Sequence, residues 1–290
     1  QAIERGMSVD DVAPTVFTFL SSNMEFMPEV AKFRAARRVW AKLMRETYGS
    51  KDPRSEQLRI FAFTAGSSLT AQQPLNNVVR TSIEALAAAM GGCQTMHVCA
   101  FDEALGVPTE AAATLALRTQ QIVAFETGVT DLVDPLGGSE LLERLTDELE
   151  AEVMIEMDKI ADLGGALACI ESGYFATRLS DSAFETATAI DTGKQKVVGV
   201  NSFVSDTAEF EVFTIDQESE ARQIEALLHT KEKRDQSQVT HTLEGLSTAA
   251  HEGINIVPAV VLAVKAYATV GEITDVLREV YGKWEPTSNF

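Results

Sequence analysis

Asp102 and Glu103 follow, two residues on, a short run at residues 94–99 that reads as a β-strand. In parallel α/β folds the loops at the C-terminal strand ends hold the reactive groups, so this pair could supply an acid, a base or a hydrogen-bond acceptor. An Asp in such a place also caps turns, which would leave a single acid facing a pocket. His97 lies on the same run, and a lone histidine is more often a satisfied structural residue than a reactive one. Asn76, Asn77 and Arg80 follow Pro74 on a predicted helix. They could hold a phosphate; caps, loop hydrogen bonds and pairing with carboxylates explain them as well, and the structural role is preferred. Arg118-Thr-Gln-Gln121 carries the same ambiguity, and Asp134-Pro-Leu-Gly-Gly138 is a turn by composition.

Composition narrows the classes of partner. The 290 residues are 45% hydrophobic and 23% charged, with a net charge of -19 and a pI near 4.6. That acidity argues against nucleic acid or an anionic membrane, both of which need a basic face. Cys93, Cys99 and Cys169 are odd in number and lack paired spacing, so neither a metal site nor a disulfide framework is indicated, and a reducing cytoplasm fits. No run reaches the roughly 18 apolar residues of a membrane helix, and no signal-peptide pattern opens the chain.

The elements that must position these groups follow from periodicity. Val16-Phe-Thr-Phe-Leu20 precedes a predicted helix near 25–47, Leu58-Arg-Ile-Phe-Ala-Phe-Thr64 one near 74–90, and Gln94-Thr-Met-His-Val-Cys99 one near 109–126. Strand, loop and helix repeated three times predict an α/β fold of parallel βα units. The longest helix cue runs from Leu141 to Ile160 and closes at Gly164-Gly165. Beyond it the pattern predicts a short helix around 179–189, extended segments at 197–200 and 210–215, and helices near 219–252, 257–267 and 271–281. Gln1-Ala-Ile-Glu-Arg-Gly6 reads as the last turn of a helix, as if cut from something longer. Three parallel strands leave open edges, so another segment or chain is expected to complete the sheet.

Four signatures occur in order: Thr64-Ala-Gly-Ser-Ser-Leu-Thr-Ala-Gln-Gln-Pro-Leu-Asn-Asn-Val-Val-Arg80, Phe101-Asp-Glu-Ala-Leu-Gly-Val-Pro-Thr109, Leu117-Arg-Thr-Gln-Gln-Ile122 and Asp134-Pro-Leu-Gly-Gly-Ser139. Together they resemble the substrate-binding subunit of the adenosylcobalamin-dependent acyl-CoA mutases, the group containing methylmalonyl-CoA, isobutyryl-CoA and 2-hydroxyisobutyryl-CoA mutases. The resemblance implies that residues 1–140 are the last three βα units of a (β/α)8 TIM barrel and that 141–290 are a mainly helical wrapping or linker segment. It implies that Glu103 contacts the adenosyl ribose, that the backbone at Gly66 and Gly106 lies close to cofactor, and that Gln94 and His97 are polar positions of the same site. The basic patch Lys32, Arg34, Arg37, Arg38 and Lys42 reads as a solvated helix face, with a CoA phosphate or an acidic partner surface as the functional alternatives.

The chain also departs from that pattern. Family members carry Arg-x-Ser where this chain has Thr15 and Phe17, and His-x-Gln where it has Phe61 and Phe63. By resemblance these four face the substrate, in a drier and reshaped pocket. No catalytic acid or base is assigned, and no Asp-x-His-x-x-Gly cobalt-ligand motif occurs in the 290 residues. The implied activity is radical 1,2-rearrangement of a short acyl-CoA by a cytoplasmic isomerase. It would need adenosylcobalamin, a cobalamin-binding small subunit and a chain or segment carrying the N-terminal barrel half; alone this chain is expected to be inert. The alternative is a non-catalytic structural subunit of a mutase complex, and the sequence is also compatible with a piece of a longer subunit.

Overall fold

Alternating apolar residues build three strands, β1 (Phe17–Ser22), β2 (Arg59–Thr64) and β3 (Thr95–His97), which form one parallel sheet in the order β1-β2-β3. The computed structural model describes residues 2–205, 210, 212–214 and 216–285. After the single turn α1 (Val9–Val12), each strand is followed by its predicted helix: α2 (Phe26–Lys42), α3 (Asn76–Gly91) and α4 (Glu110–Glu126). α2 runs on through a π-turn at Leu43–Thr47, which carries it to the predicted end. β3 is shorter than the run that predicted it, because the chain leaves the ladder after His97 and turns at Phe101.

The chain divides into two compact units, Gln1–Phe213 and Thr214–Phe290. In the first, Phe33, Leu58, Ile60, Ala62 and Ala88 join α2 and α3 to β2, while Ala85, Val98, Ala100, Ala112 and Ala116 join α3 to α4. At Gly91 α3 lies against α2 with no room for a side chain: an added Cβ would lie 2.9 Å from the Cβ of Phe33. The long helix α5 (Glu140–Asp162) packs along α2, with Leu142 fully buried against Val30, Ala31 and Ala87. Ser139 caps its N-terminus, accepting from the Leu142 amide at 3.5 Å. α6 (Ala166–Glu171) and α7 (Tyr174–Asp191) follow.

Several expectations for the helical half are corrected. α7 starts at Tyr174 rather than 179, because Gly173 in a left-handed conformation ends α6 and reopens the chain one residue before it. Residues 197–200 form a turn closed by a single bridge between Val198 and Ser202, not an extended strand. The extended segment expected at 210–215 lies partly outside the described residues, and residues 210 and 212–214 carry no strand. The glycine-terminated last turn expected at Gly6 is present: Gly6 has a φ of 89°, its amide donates to the Ile3 carbonyl at 2.9 Å and the Met7 amide donates to the Ala2 carbonyl at 3.2 Å.

In the second unit the helix predicted over 219–252 is two helices, α8 (Gln217–Lys233) and α9 (Gln236–His251). Arg234 turns extended, and the Asp235 carboxylate accepts from the amides of Ser237 (2.9 Å) and Gln238 (3.2 Å), a stronger N-terminal signal than the periodicity spanning it. α10 (Val257–Lys265) and α11 (Val270–Tyr281) complete it around Leu246, Ala263 and Ile273. Thr269 and Glu272 form a capping box, and Arg234 donates to both Glu272 oxygens, at 2.7 and 2.5 Å. Replacing Thr269 with alanine is expected to cost about 1 kcal/mol, read as a lower denaturation midpoint of this unit.

Candidate active site

Period-two alternation divides the sheet into two faces. Ile60, Ala62 and Thr64 of β2 are buried under the helices, so Arg59, Phe61 and Phe63 lie on the opposite face. The register aligns Phe17 with Arg59, Phe19 with Phe61 and Thr95, and Ser21 with Phe63 and His97. Phe17 and Phe19 are 58% and 59% exposed, and their rings meet at 5.3 Å, with Phe19 reaching Phe61 at 5.2 Å. The result is an apolar plate of phenylalanines leading to His97. Phe19 belongs to it as fully as Phe17 and was missed in the sequence, although its two-residue spacing from Phe17 was the available signal. Thr15 lies before β1, in a turn where its hydroxyl donates to the Val12 carbonyl at 2.7 Å.

At the C-terminal rim of the sheet the two acids separate. Asp102, 4% exposed, accepts from the amide (2.9 Å) and hydroxyl (2.8 Å) of Thr109, the N-cap of α4. It therefore organises the loop. Glu103 stays half-buried on the rim with one oxygen accepting from the Ala100 amide at 2.6 Å. Cys99 lies between His97 and Glu103 in the chain, just past the ladder, and is anchored to Thr64. Its amide donates to the Thr64 hydroxyl at 2.8 Å, and its thiol donates to the Thr64 carbonyl at 3.1 Å. Burial pushes the Cys99 thiol up to about 11.

Asn77 and Arg80 hold the two rim loops together. Asn77 donates to the carbonyls of Thr70 and Phe101, both at 2.9 Å, and Arg80 donates to Asn77 (2.7 Å), Thr70 (3.0 Å) and the Val198 carbonyl (2.7 Å). These donors go to the chain itself, in keeping with a structural role. Beneath them Glu84 is fully buried and neither carboxylate oxygen makes a hydrogen bond of good geometry. Burial raises its pKa to about 7, opposed in part by the nearby Ser68 hydroxyl and Ala65 amide.

The remaining positions are not all brought together. Gly66 opens the rim loop after β2, exposed, and a Cβ there would meet nothing within 4 Å. Gly106 is exposed as well, but a Cβ there would lie 2.9 Å from a methyl of Val212, and the Phe210 ring meets Phe101 at 6.3 Å. Gln94 sits at the opposite end of β3 from the rim, its side-chain oxygen accepting from the Ile60 amide at 2.6 Å while its own amide donates to the Ile60 carbonyl at 3.0 Å. It extends the β2–β3 ladder.

The basic patch is not a solvated face. Arg34 pairs with Asp134 (3.0 Å) and Glu143 (2.7 Å), Arg38 with Asp147 (2.6 Å) and Glu150, and Lys42 with Glu150, so the stripe on α2 meets an acidic stripe on α5. Lys32 pairs with Glu29, and Arg37 donates to the Gly92 carbonyl. The helix spacing of three to four residues on both partners produces this match.

A family model described as methylmalonyl-CoA mutase matches residues 1–283. This chain belongs to the methylmalonyl-CoA mutase family. It is 40% identical over 293 residues to the 2-hydroxyisobutanoyl-CoA mutase large subunit of Aquincola tertiaricarbonis, covering 100% of this chain and 52% of that one. The methylmalonyl-CoA mutase large subunit of Streptomyces virginiae is 40% identical over 97% of this chain and 39% of its own. The mitochondrial methylmalonyl-CoA mutase of Homo sapiens is 39% identical over 97% of this chain and 38% of its own. This mutase-family chain thus spans about half the length, or less, of these curated relatives. Among the described residues no helix is long and apolar enough to cross a membrane.

Proposed function

We propose that this chain is part of a cytoplasmic adenosylcobalamin-dependent acyl-CoA mutase, supplying barrel strands that face the substrate and the rim that holds the adenosyl group. The observation that carries the reading is the rim: Glu103 and His97 share it, beside the open backbone of Gly66, above an apolar floor. The residues fit the cofactor's nucleoside, because a half-exposed carboxylate suits ribose hydroxyls and a glycine with open space before it lets a ligand approach the backbone. The chemistry supplied by bound adenosylcobalamin is homolytic: hydrogen abstraction, 1,2-migration on the acyl-CoA and hydrogen return. Glu103 would orient the adenosine, Asp102, Asn77 and Arg80 would fix the loops that carry it, and Phe17, Phe61 and Phe63 would exclude water from the reacting carbons. Thr15 and Gln94 would act from the other end of the sheet, and cofactor reaching the backbone of Gly106 would meet the Val212 side chain beside it.

In this reading residues 1–140 supply the last three units of a (β/α)8 barrel and 141–290 wrap it. The open edge of β1 supports an obligatory partner. Beside it lies a groove of about 410 Å³ lined by Leu20, Val39, Trp40, Leu149 and Val153, shaped for a further strand and helix from the N-terminal barrel half. A cobalamin-binding small subunit would supply the cobalt ligand. One observation favours a second reading, a structural subunit: Phe61 and Phe63 place only apolar groups where a substrate's polar atoms would need partners. Co-expression with chains carrying the missing barrel half and a cobalamin-binding domain tests both. Native mass spectrometry should show one assembly retaining cobalamin, and mass-spectrometric assay of a panel of short acyl-CoAs should show a cofactor-dependent isomer; assembly with no isomerisation of any panel member would leave the structural reading.

A further inference from the structure

Three groups that ligate metals converge on the rim: a ring nitrogen of His97, Sγ of Cys99 and a carboxylate oxygen of Glu103 all lie within 4.8 Å of one another. Residues 97 and 99 project to the same side of extended chain, and the turn after Ala100 folds Glu103 back onto them, its other anchor being the Ala100 amide at 2.6 Å. We propose that His97, Cys99 and Glu103 form a site for one thiophilic divalent cation of the zinc class, with a fourth position open to water or a ligand. A nitrogen, a sulfur and an oxygen donor are the set that Zn²⁺ takes when three protein ligands leave one position open.

The geometry requires small movements only. Tetrahedral bonds of about 2.0–2.3 Å set ligand separations of roughly 3.3–3.8 Å, so no pair must close by more than about 1.5 Å. His97 is exposed and makes no hydrogen bond among the described residues, so its ring can turn without breaking a contact. Cys99 is 7% exposed and gives its S–H to the Thr64 carbonyl. As the metal–sulfur bond forms, the S–H bond breaks and one proton leaves to solvent. The two positive charges then face a thiolate and a carboxylate, so the partly buried site ends neutral. The spacing His-x-Cys-x-x-x-Glu lacks the paired cysteines of sequence-recognisable zinc motifs, which is why composition indicated none. Metal binding does not rest on the mutase reading; if adenosine also docks on Glu103, cation and nucleoside compete.

The test is titration of the chelator-stripped protein with CoCl₂ and then ZnCl₂. Expected are one Co²⁺ per chain with a thiolate-to-cobalt charge-transfer band, its loss on adding Zn²⁺, and release of one proton per Zn²⁺ bound. Cys99→Ser should abolish the band. His97→Ala, at an exposed position without hydrogen bonds, keeps the test valid should Cys99→Ser fail to fold, and it should weaken Zn²⁺ binding by at least about 10-fold, as loss of even a supporting residue does. Cys93→Ser should leave both readouts unchanged. Cobalt binding without the band, a band surviving Cys99→Ser, or unaltered zinc affinity in His97→Ala would each overturn the site. Acyl-CoA isomerisation without metal binding would overturn this site alone, and metal binding in an assembly that isomerises nothing would overturn the mutase reading alone.

Discussion

Replacing Glu103 with alanine in the assembled mutase is expected to lower turnover by about 100-fold, the scale on which a misplaced reacting group slows catalysis. Assembly should be unaffected, because the side chain is half-buried and its one backbone bond, to the Ala100 amide, can pass to water. Glu103→Gln keeps one oxygen acceptor for that amide and presents an NH2 that can donate to a ribose hydroxyl oxygen, so it should recover part of the loss. The readouts are adenosylcobalamin affinity and kcat at saturating acyl-CoA, measured with native mass spectra of the same samples. A positioning role for adenosine lowers both; unchanged turnover in an intact assembly would remove Glu103 from the site. Asp102→Asn offers the contrast, since Asp102 touches only Thr109 and its own loop, and its effect should appear as lost stability instead.

Glu84 sets the second large effect. Its carboxyl is fully buried beneath the rim, facing Glu29 and Arg80 across the helix packing and Cys99 from the strand side, and burial raises its pKa from 4.5 to about 7. For an acid whose folded pKa lies above its unfolded one, the folded state holds the proton longer. The contribution of Glu84 to stability is therefore largest below about pH 4.5, falls as pH rises from there towards 7, and levels off above it. The total change attributable to this group is on the order of 3 kcal/mol, since each tenfold change in proton affinity between folded and unfolded chain is worth about 1.4 kcal/mol. Glu84→Gln cannot ionise, so it should flatten the profile and exceed the parent in stability at pH 8 by up to that amount. Urea midpoints of both proteins at pH 5 and pH 8 measure it, and equal pH sensitivity in the two would exclude Glu84 as the cause. Glu272 in the second unit works with the opposite sign: the Arg234 guanidinium holds its carboxyl down at about 2, a contribution present above pH 4.5 and lost as pH falls towards 2.

Much of the architecture was legible in local pattern. The three βα units and α5 emerged within a few residues because strand and helix periods, and a stop signal such as Gly164-Gly165, are properties of neighbouring residues. Where a local signal competed with a longer one the reading went astray, as at Arg234-Asp235, where a cap interrupts an amphipathic pattern that continues on both sides. The site was legible in part. Glu103 and His97 fall at one end of β3, whereas Gln94, grouped with them through the family resemblance, lies three residues of strand, roughly 10 Å, away at the other end.

Residue order and spacing were enough for the parallel α/β alternation and the family to which the chain belongs, because each is a pattern among near neighbours. Packing settled the rest: one Asp102 oxygen takes both donors of Thr109 while Glu103 remains on the rim, the α2 basic stripe is neutralised by α5, and His97, Cys99 and Glu103 meet. Those outcomes depend on which donors reach which acceptors after segments far apart in the chain have come together, and no local periodicity encodes that choice.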